Sequence, residues 1–571
     1  MAEFINVSEI IPPHSGLQIC LSNNEPIKVL QWQCQSEPVA DLQKGVFTTD
    51  PLFIIKAIEF IQLAKETNSD LVLTPEYSFP NEVLDTIVRT PEIWPRKGAL
   101  WCLSMQGSTI KEFSEKLELW TATGRILIVK DAWERLSSRS FIDSLVYLFI
   151  TDDNNLCVIP QFKTSHMSER MNEYESGRLS TSDLIYVFDL VGSSHDLNRF
   201  MSIICSDALC IEPKDILNFT VGKNLTLFHA QLNHKPRDST FRAFRDYFLD
   251  RDHGRDIRII TLNWADGTII DGEKFDKPWS AFYKKEQSGN IAERELRNIN
   301  QNKGTFYALY RKYTEIWYSC KDEHCKLFDI NKGFQPGSFY PANPRNEPIT
   351  REYYSFGLED KWNPEACNDQ TYTFRALIDE HGQDYSFPMY ADINDCDAFF
   401  GLCFGHFLEG ELSADNDELT SRLLLGPDVE SDKKRTSKVS QYNLLVKLIK
   451  KQVFPMELEN LINNHFLHLD SQTAEDKWKY GNVYPKDIPF DELNPYHSAL
   501  FIISEYNEKT EVARQVDDIC KKLHRSFRNK VVIYYFSRET EKYEYFDEHL
   551  KQTRIDKASF SKSLSSIKGS F

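Results

Sequence analysis

Three short apolar runs in the first half of the chain each end on one chemically competent side chain, and this constrains the fold more than any bulk property. The run Arg199-Phe-Met-Ser-Ile-Ile-Cys205-Ser206-Asp207-Ala208-Leu209 reads as a buried strand bounded by polar residues, which places Cys205 where the strand gives way to a turn. Asp70-Leu-Val-Leu-Thr-Pro75-Glu76-Tyr77 and Leu156-Cys-Val-Ile-Pro160-Gln-Phe162-Lys163-Thr164-Ser165-His166 have the same form. In both, a branched apolar run is followed by proline, which cannot donate to a sheet ladder and marks the end of a strand. A lone cysteine is most often a small buried hydrophobe, and a lone charge beside a strand is usually solvated. Three strands that release Glu, Lys and Cys in that order point instead to one site.

This ordered set resembles the nitrilase, or carbon-nitrogen hydrolase, superfamily, whose active site is a Glu-Lys-Cys triad on strand ends. The matching residues are Pro75-Glu76, Lys163-Thr-Ser-His166 and Cys205-Ser-Asp207 with Glu212-Pro213 following, together with the strand Ile259-Ile-Thr-Leu-Asn263-Trp264. The resemblance covers roughly residues 27–345 and implies a four-layer α-β-β-α sandwich. Leu209 stands where many members carry an arginine. The family's second glutamate precedes a Tyr/Phe-x-x-Gly corner, here Tyr174-Glu-Ser-Gly177. Glu169 and Glu173 both qualify, and distance from Gly177 favours Glu169.

The resemblance implies a hydrolase of a non-peptide carbon-nitrogen bond in an amide, carbamoyl or nitrile group. Cys205 is the expected nucleophile, and a free thiol titrates near about 8.5, so it needs a base. Glu76 is expected to take the thiol proton and return it to the leaving amine. Lys163 and the backbone N–H of Ser206 are expected to cradle the oxyanion, with Glu169 in support, and a thioester on Cys205 is the intermediate. Asn263 and Trp264 are candidates for the substrate wall; a capping asparagine and a core tryptophan are the bland alternative. No cofactor is required, and a homo-oligomer is expected because the resembled family commonly oligomerises. A second reading makes the nitrilase-like half a small-molecule sensor or a bacterial defence effector, with the C-terminal half binding a partner.

At 571 residues the chain exceeds one ordinary domain. The division expected is an irregular lead over 1–26, the catalytic domain over 27–345, and a C-terminal α/β domain of unknown role over 346–571. A hydrophobic fraction of 41% supplies a sizeable core. A net charge of −18 argues against nucleic acid as the main partner, since that binding neutralises phosphates with surplus Lys and Arg. No apolar run approaches the roughly 18–20 residues of a membrane span, and the first residues lack the basic and apolar parts of a signal peptide. A cytoplasmic location is expected.

Twelve cysteines in so long a chain do not form the dense framework of a short secreted domain. Cys320, His324 and Cys325, or Cys396, Cys403 and His406, are the nearest approaches to a ligand set, but neither has paired C-x-x-C spacing, and no metal is expected.

Elsewhere, Asp50-Pro51 caps a helix whose core stripe is expected at Ile54, Ile58 and Ile61. Phe241, Phe244 and Phe248 should share one face of a second helix. Near the C-terminus, Ala499–Ile503, a helix carrying Val512, Val516, Ile519 and Leu523, and Val531–Phe536 read as a strand-helix-strand unit. Residues 429–438 read as an exposed linker with helices following to about 467, and 559–571 as a frayed end.

Overall fold

The two proline-bearing runs become strands of one sheet, but Pro160 does not end its strand: it lies inside Leu156–Phe162, opposite Val146. In the computed structural model, Leu71–Leu73 pairs in parallel with Ile27–Gln33 on one side and Leu100–Ser104 on the other. Leu156–Phe162 joins the same nine-stranded sheet through the antiparallel strand Ser144–Ile150, so it runs in the same direction as Leu71–Leu73. The C-terminal ends of both therefore face one edge of the sheet. The run before Cys205 is the strand Leu197–Ile204 of a second, eight-stranded sheet, parallel with Asn224–Ala230 and through it with Ile257–Leu262.

The structure describes residues 2–11, 26–122, 124–167, 175–191, 197–220, 224–249, 257–275, 278–285, 305–310, 314–319, 322–330, 347–357, 359–365, 478–481, 500–507, 509–510, 512–513, 533–537, 539–540 and 542–546. The expected linker, the helices after it, the frayed end, and Val516, Ile519 and Leu523 lie outside these, as do Cys320, Cys396, Cys403 and His406. The architecture is mixed α/β, with helices and two large sheets.

The two sheets meet through side chains of opposite character. Tyr147 of the first packs its ring 4.6 Å from that of Phe188 in the second. Between them lies Gln161, a fully buried amide, which donates to the Ser202 carbonyl at 2.9 Å and accepts from the Tyr147 hydroxyl at 3.1 Å and the Tyr186 N–H at 3.0 Å. A buried amide is tolerated only when its donors and acceptors are satisfied in this way.

The helix Pro51–Glu66 starts where expected, with Asp50 accepting from the Leu52 N–H at 2.9 Å and proline in the first turn. Its core stripe differs from the expected one. Phe53, Ala57, Phe60, Ile61 and Ala64 are buried, whereas Ile54 and Ile58 are 37% and 41% exposed. Phe53 sets the rotation, because its ring lies 4.8 Å from Trp32 and stacks 5.7 Å from Trp264, and a buried aromatic outweighs an isoleucine in removed area. A capping box formed by Thr109 and Glu112 opens Ile110–Thr121, which buries Phe113, Leu117 and Trp120. The helix Ser239–Leu249 does bury Phe241, Phe244 and Phe248.

Two compact units divide the chain, Met1–Thr371 and Tyr372–Phe571. The first extends past both boundaries read from the sequence, because both extensions complete sheets. Glu3–Asn6 pairs in parallel with Leu184–Val191, so the lead is not irregular throughout. Ile349–Phe356 and Trp362–Pro364 continue the nine-stranded sheet beyond His324–Ile330. In the second unit a four-stranded sheet holds Trp478–Gly481, Leu500–Asn507, Ile533–Ser537 and Lys542–Tyr545. Its middle pair is parallel, as a strand-crossover-strand unit requires. Among the described residues no helix is long and apolar enough to cross a membrane.

Candidate active site

Because the strand ends of both sheets face the same space, side chains far apart in sequence meet there. Glu76, Lys163, Glu175 and Cys205 line one cavity of about 290 Å3. The Lys163 ammonium donates at 2.7 Å to Glu76 Oε1 and at 2.7 Å to Glu175 Oε1, and the Asp143 carboxyl is 3.5 Å away. All four groups are almost fully buried. Burial opposes the lysine's charge, but the surrounding acids, Glu175 first and then Glu76 and Asp143, hold its pKa well above the usual lysine range.

Each of these groups is fixed from behind. The second Glu76 oxygen accepts from the Leu232 N–H at 2.6 Å, and the Glu76 carbonyl accepts from Trp264 Nε1 at 2.7 Å. Tyr77, at φ 56, turns the chain sharply after Glu76. The second Glu175 oxygen accepts from the Met167 N–H at 2.8 Å. Asp143 is different: it is fully buried, and neither of its side-chain oxygens has a hydrogen-bond partner. Burial, reinforced by the Glu76 carboxylate, pushes its pKa well up, against the pull of Lys163.

Cys205 sits at φ 34, a left-handed conformation that a non-glycine residue adopts only where its surroundings hold it. Its N–H donates to the Ala230 carbonyl at 2.8 Å, and its carbonyl accepts from His229 Nε2 at 2.9 Å. Burial drops the His229 pKa to about 3, so the ring is neutral and carries its proton on the nitrogen that faces the carbonyl. The thiol's own pKa is pushed well up, first by burial and then by the Glu76 carboxylate, with Lys163 pulling the other way. The resting sulfur therefore carries a proton, and the Glu76 carboxylate lines the same cavity.

Asp207 ties the two sheets' loops together. Its Oδ2 accepts from the Ile204 N–H at 2.8 Å, on the strand that ends at Cys205. Its Oδ1 accepts from the N–H and hydroxyl of Thr164 at 2.7 and 2.8 Å and from the Ser165 N–H at 3.2 Å, in the loop after Lys163. Burial raises its pKa to about 6, opposed by these hydrogen bonds and by Lys163. Below that pH the carboxyl takes up a proton and loses acceptor capacity, so activity at this site is expected to decline on an acid limb near pH 6. A pH profile of kcat tests this, because the limb should vanish in Asp207→Asn.

The remaining expectations fall differently. Glu169 and Glu173 lie outside the described residues, and Glu175 is the second glutamate beside Lys163. It is the middle of the Tyr174-Glu-Ser-Gly177 corner itself, and Gly177 at φ 78 turns the chain there. Counting back from the glycine overlooked a residue within the turn. Asp143 was missed because it reads only as a polar residue before a strand.

Ser206 is buried, with its hydroxyl donating to the Ser165 carbonyl at 2.8 Å. Asn263 and Trp264 stand one layer behind the cavity wall. The Asn263 side chain clamps the backbone of Asn233, accepting from its N–H at 3.0 Å and donating to its carbonyl at 2.6 Å, and also donates to the Pro278 carbonyl. His324 and Cys325, neighbours on one strand, are both buried.

No protein-family model matches the chain, and no curated protein matches it. Among solved structures, it is similar to a variant of the amidase from Nesterenkonia sp. AN1 that carries the acetamide moiety of fluoroacetamide covalently on its active-site cysteine. That likeness has 12% identity, covers 45% of this chain and 82% of the other, and has a TM-score of 0.27. A second variant of the Nesterenkonia AN1 amidase, from the nitrilase superfamily, matches at 12% identity over 46% of this chain and 85% of that one, with a TM-score of 0.27. The glutamine-dependent NAD+ synthetase from Acinetobacter baumannii, in complex with ADP, matches at 14% identity over 53% of this chain and 46% of that one, also with a TM-score of 0.27. These three solved structures, two variants of a nitrilase-superfamily amidase and an NAD+ synthetase, each match about half of this chain.

Proposed function

We propose that the chain is a cysteine-dependent hydrolase of a non-peptide carbon-nitrogen bond, with the two sheets as the inner layers of a four-layer α-β-β-α sandwich. The observation that carries this reading is Lys163 held at 2.7 Å by both Glu76 and Glu175 in the cavity that Cys205 also lines. A purely structural ion pair has no need of a cysteine held in a left-handed turn beside it.

In this mechanism Glu76 takes the proton from Cys205 as sulfur attacks the amide carbon. The oxyanion forms between the Lys163 ammonium and the Ser206 N–H, where one such donor contributes about 2.7–4 kcal/mol to transition-state stabilisation. Glu76 then gives the proton to the departing amine, the C–N bond breaks, and a thioester remains on Cys205. Water, deprotonated by Glu76, cleaves the thioester and releases a carboxylate. Glu175 and Asp207 act through other groups: the first positions Lys163, the second positions the loops of Lys163 and Cys205.

The test is ammonia release from a panel of amides by wild type and by Cys205→Ala. Wild type is expected to exceed the variant by at least about 1,000-fold on its best substrate. A haloacetamide should also add once, at Cys205, by intact mass. Equal rates and no adduct at Cys205 would overturn the assignment.

A further inference from the structure

Asp143 stands in the lysine cluster without a hydrogen bond to its own side chain. It joins the short strand Phe141–Ile142, paired on its two sides with Ser108–Thr109 and Leu179–Ser180, to the strand Ser144–Ile150. Its carbonyl accepts from the Lys163 N–H at 3.1 Å, so the backbone is held against the lysine it faces. One carboxyl oxygen from each of Glu76, Asp143 and Glu175 lies within 4.8 Å of the other two, and the Lys163 ammonium pairs with all three. The Tyr77 phenol and the Cys205 thiol also face this space. Burial first, then the neighbouring acids, push both well up, so neither adds a charge at neutral pH.

Three ionised carboxylates around one ammonium would leave a surplus of negative charge among almost fully buried groups, and like charges this close do not all ionise. Lys163 donates at 2.7 Å to Glu76 and to Glu175 but stands 3.5 Å from Asp143, the acid whose two oxygens have no hydrogen-bond partner. As a carboxylate, Asp143 would bear an uncompensated desolvation cost. As a carboxylic acid it sheds the charge and gains an O–H that a neighbouring carboxylate accepts. Two carboxylates have no donor between them, so the approach of Asp143 to Glu76 becomes a hydrogen bond only when one of them carries a proton. The direction of titration agrees: burial is the largest cause raising the Asp143 pKa, the Glu76 charge follows, and a side-chain hydrogen bond with Glu76 adds to both.

We propose, on the basis of the hydrolase reading above, that Asp143 is a positioning residue, a buried carboxylic acid whose proton is donated in a hydrogen bond to Glu76. With the Lys163 ammonium and the Leu232 N–H, it is the third donor to the Glu76 carboxylate, holding that group charged and in place until the Cys205 proton arrives. Asp143 does not line the cavity, so it acts through Glu76 and not on substrate. Its own proton stays in place through turnover; the proton that moves passes from sulfur to Glu76 and on to the departing amine.

Infrared difference spectroscopy of the full chain at neutral pH, wild type against Asp143→Asn, tests this. Wild type is expected to show the C=O stretch of a protonated carboxyl group, shifted in D2O and absent from the variant. A spectrum that shows only the loss of an ionised carboxylate would overturn the inference. The asparagine amide is neutral and keeps a donor for Glu76, so kcat of Asp143→Asn should stay within about threefold of wild type. Asp143→Leu, with no donor, should lose about 10- to 100-fold in kcat at unchanged KM, the worth of a hydrogen bond to a charged group. Equal kcat in the two variants would remove the positioning role. The pH inflection of Cys205 alkylation should coincide in wild type and Asp143→Asn; a move to lower pH in the variant would mean that a negative charge had been removed, and would overturn the inference while leaving the hydrolase standing. The infrared and alkylation readouts need no turnover. A protonated Asp143 alongside wild-type ammonia release no greater than that of Cys205→Ala would mark failure of the hydrolase reading instead.

Discussion

Replacing Lys163 with methionine is expected to abolish amide hydrolysis and to destabilise the fold by about 3–5 kcal/mol, the cost of breaking a buried ion cluster by removing one partner. The lysine is the only cation among the described residues that meets Glu76, Glu175 and Asp143 at hydrogen-bond or ion-pair distance. Without it, no other cation among the described residues pairs with the two buried glutamates. Urea denaturation of wild type, Lys163→Met and Lys163→Met/Glu175→Gln gives the comparison. The double variant should regain part of the lost stability, because one uncompensated carboxylate is gone, and none of the activity, because the oxyanion donor is still missing. A single variant as stable as wild type would show that the cluster is not held by charge.

Glu76→Gln is expected to lower kcat by about 100- to 10,000-fold, the range for loss of a general acid–base group, with a smaller loss of stability than Lys163→Met because Glu175 still pairs with the lysine. The amide oxygen can still accept from the Leu232 N–H, and the Trp264 bond is to the backbone. The thiol gives a more specific readout. Burial is the main reason its pKa is high, and the Glu76 carboxylate is the next. Removing that negative charge should move the inflection of the Cys205 alkylation profile to lower pH than in wild type while hydrolysis is lost. An inflection at higher pH, or hydrolysis near the wild-type rate, would take Glu76 out of the proton transfer.

The parts of this site that were legible in the sequence are those that local rules determine. Pro75 and the branched run before it end one strand, Leu156–Phe162 forms another, and Met201 to Ile204 lead into the turn at Cys205, so the positions of Glu76, Lys163 and Cys205 follow from neighbours in the chain. Glu175 and Asp143 were not legible, because each acquires its role from a lysine brought to it by tertiary structure. Asn263 was noticed for its place at a strand end, but its side chain is used on the Asn233 backbone, 30 residues away. Ile54 and Ile58 have the right spacing for a core stripe, yet a helix can satisfy that pattern at more than one rotation. Here two tryptophans, Trp32 and Trp264, determine which face turns inward.

Glu76 and Lys163 hang from one sheet, while Cys205 and the Leu232 amide hang from the other, and Gln161 pins the two layers between them. The two sheets thus act like the jaws of a caliper, and under the proposed mechanism the gap they set is the distance a proton has to travel from sulfur to carboxylate. Trimming Tyr147 or Phe188, both remote from the cavity lining, would let the jaws settle by a fraction of an ångström. Turnover would then report damage to the interior earlier than a melting curve does.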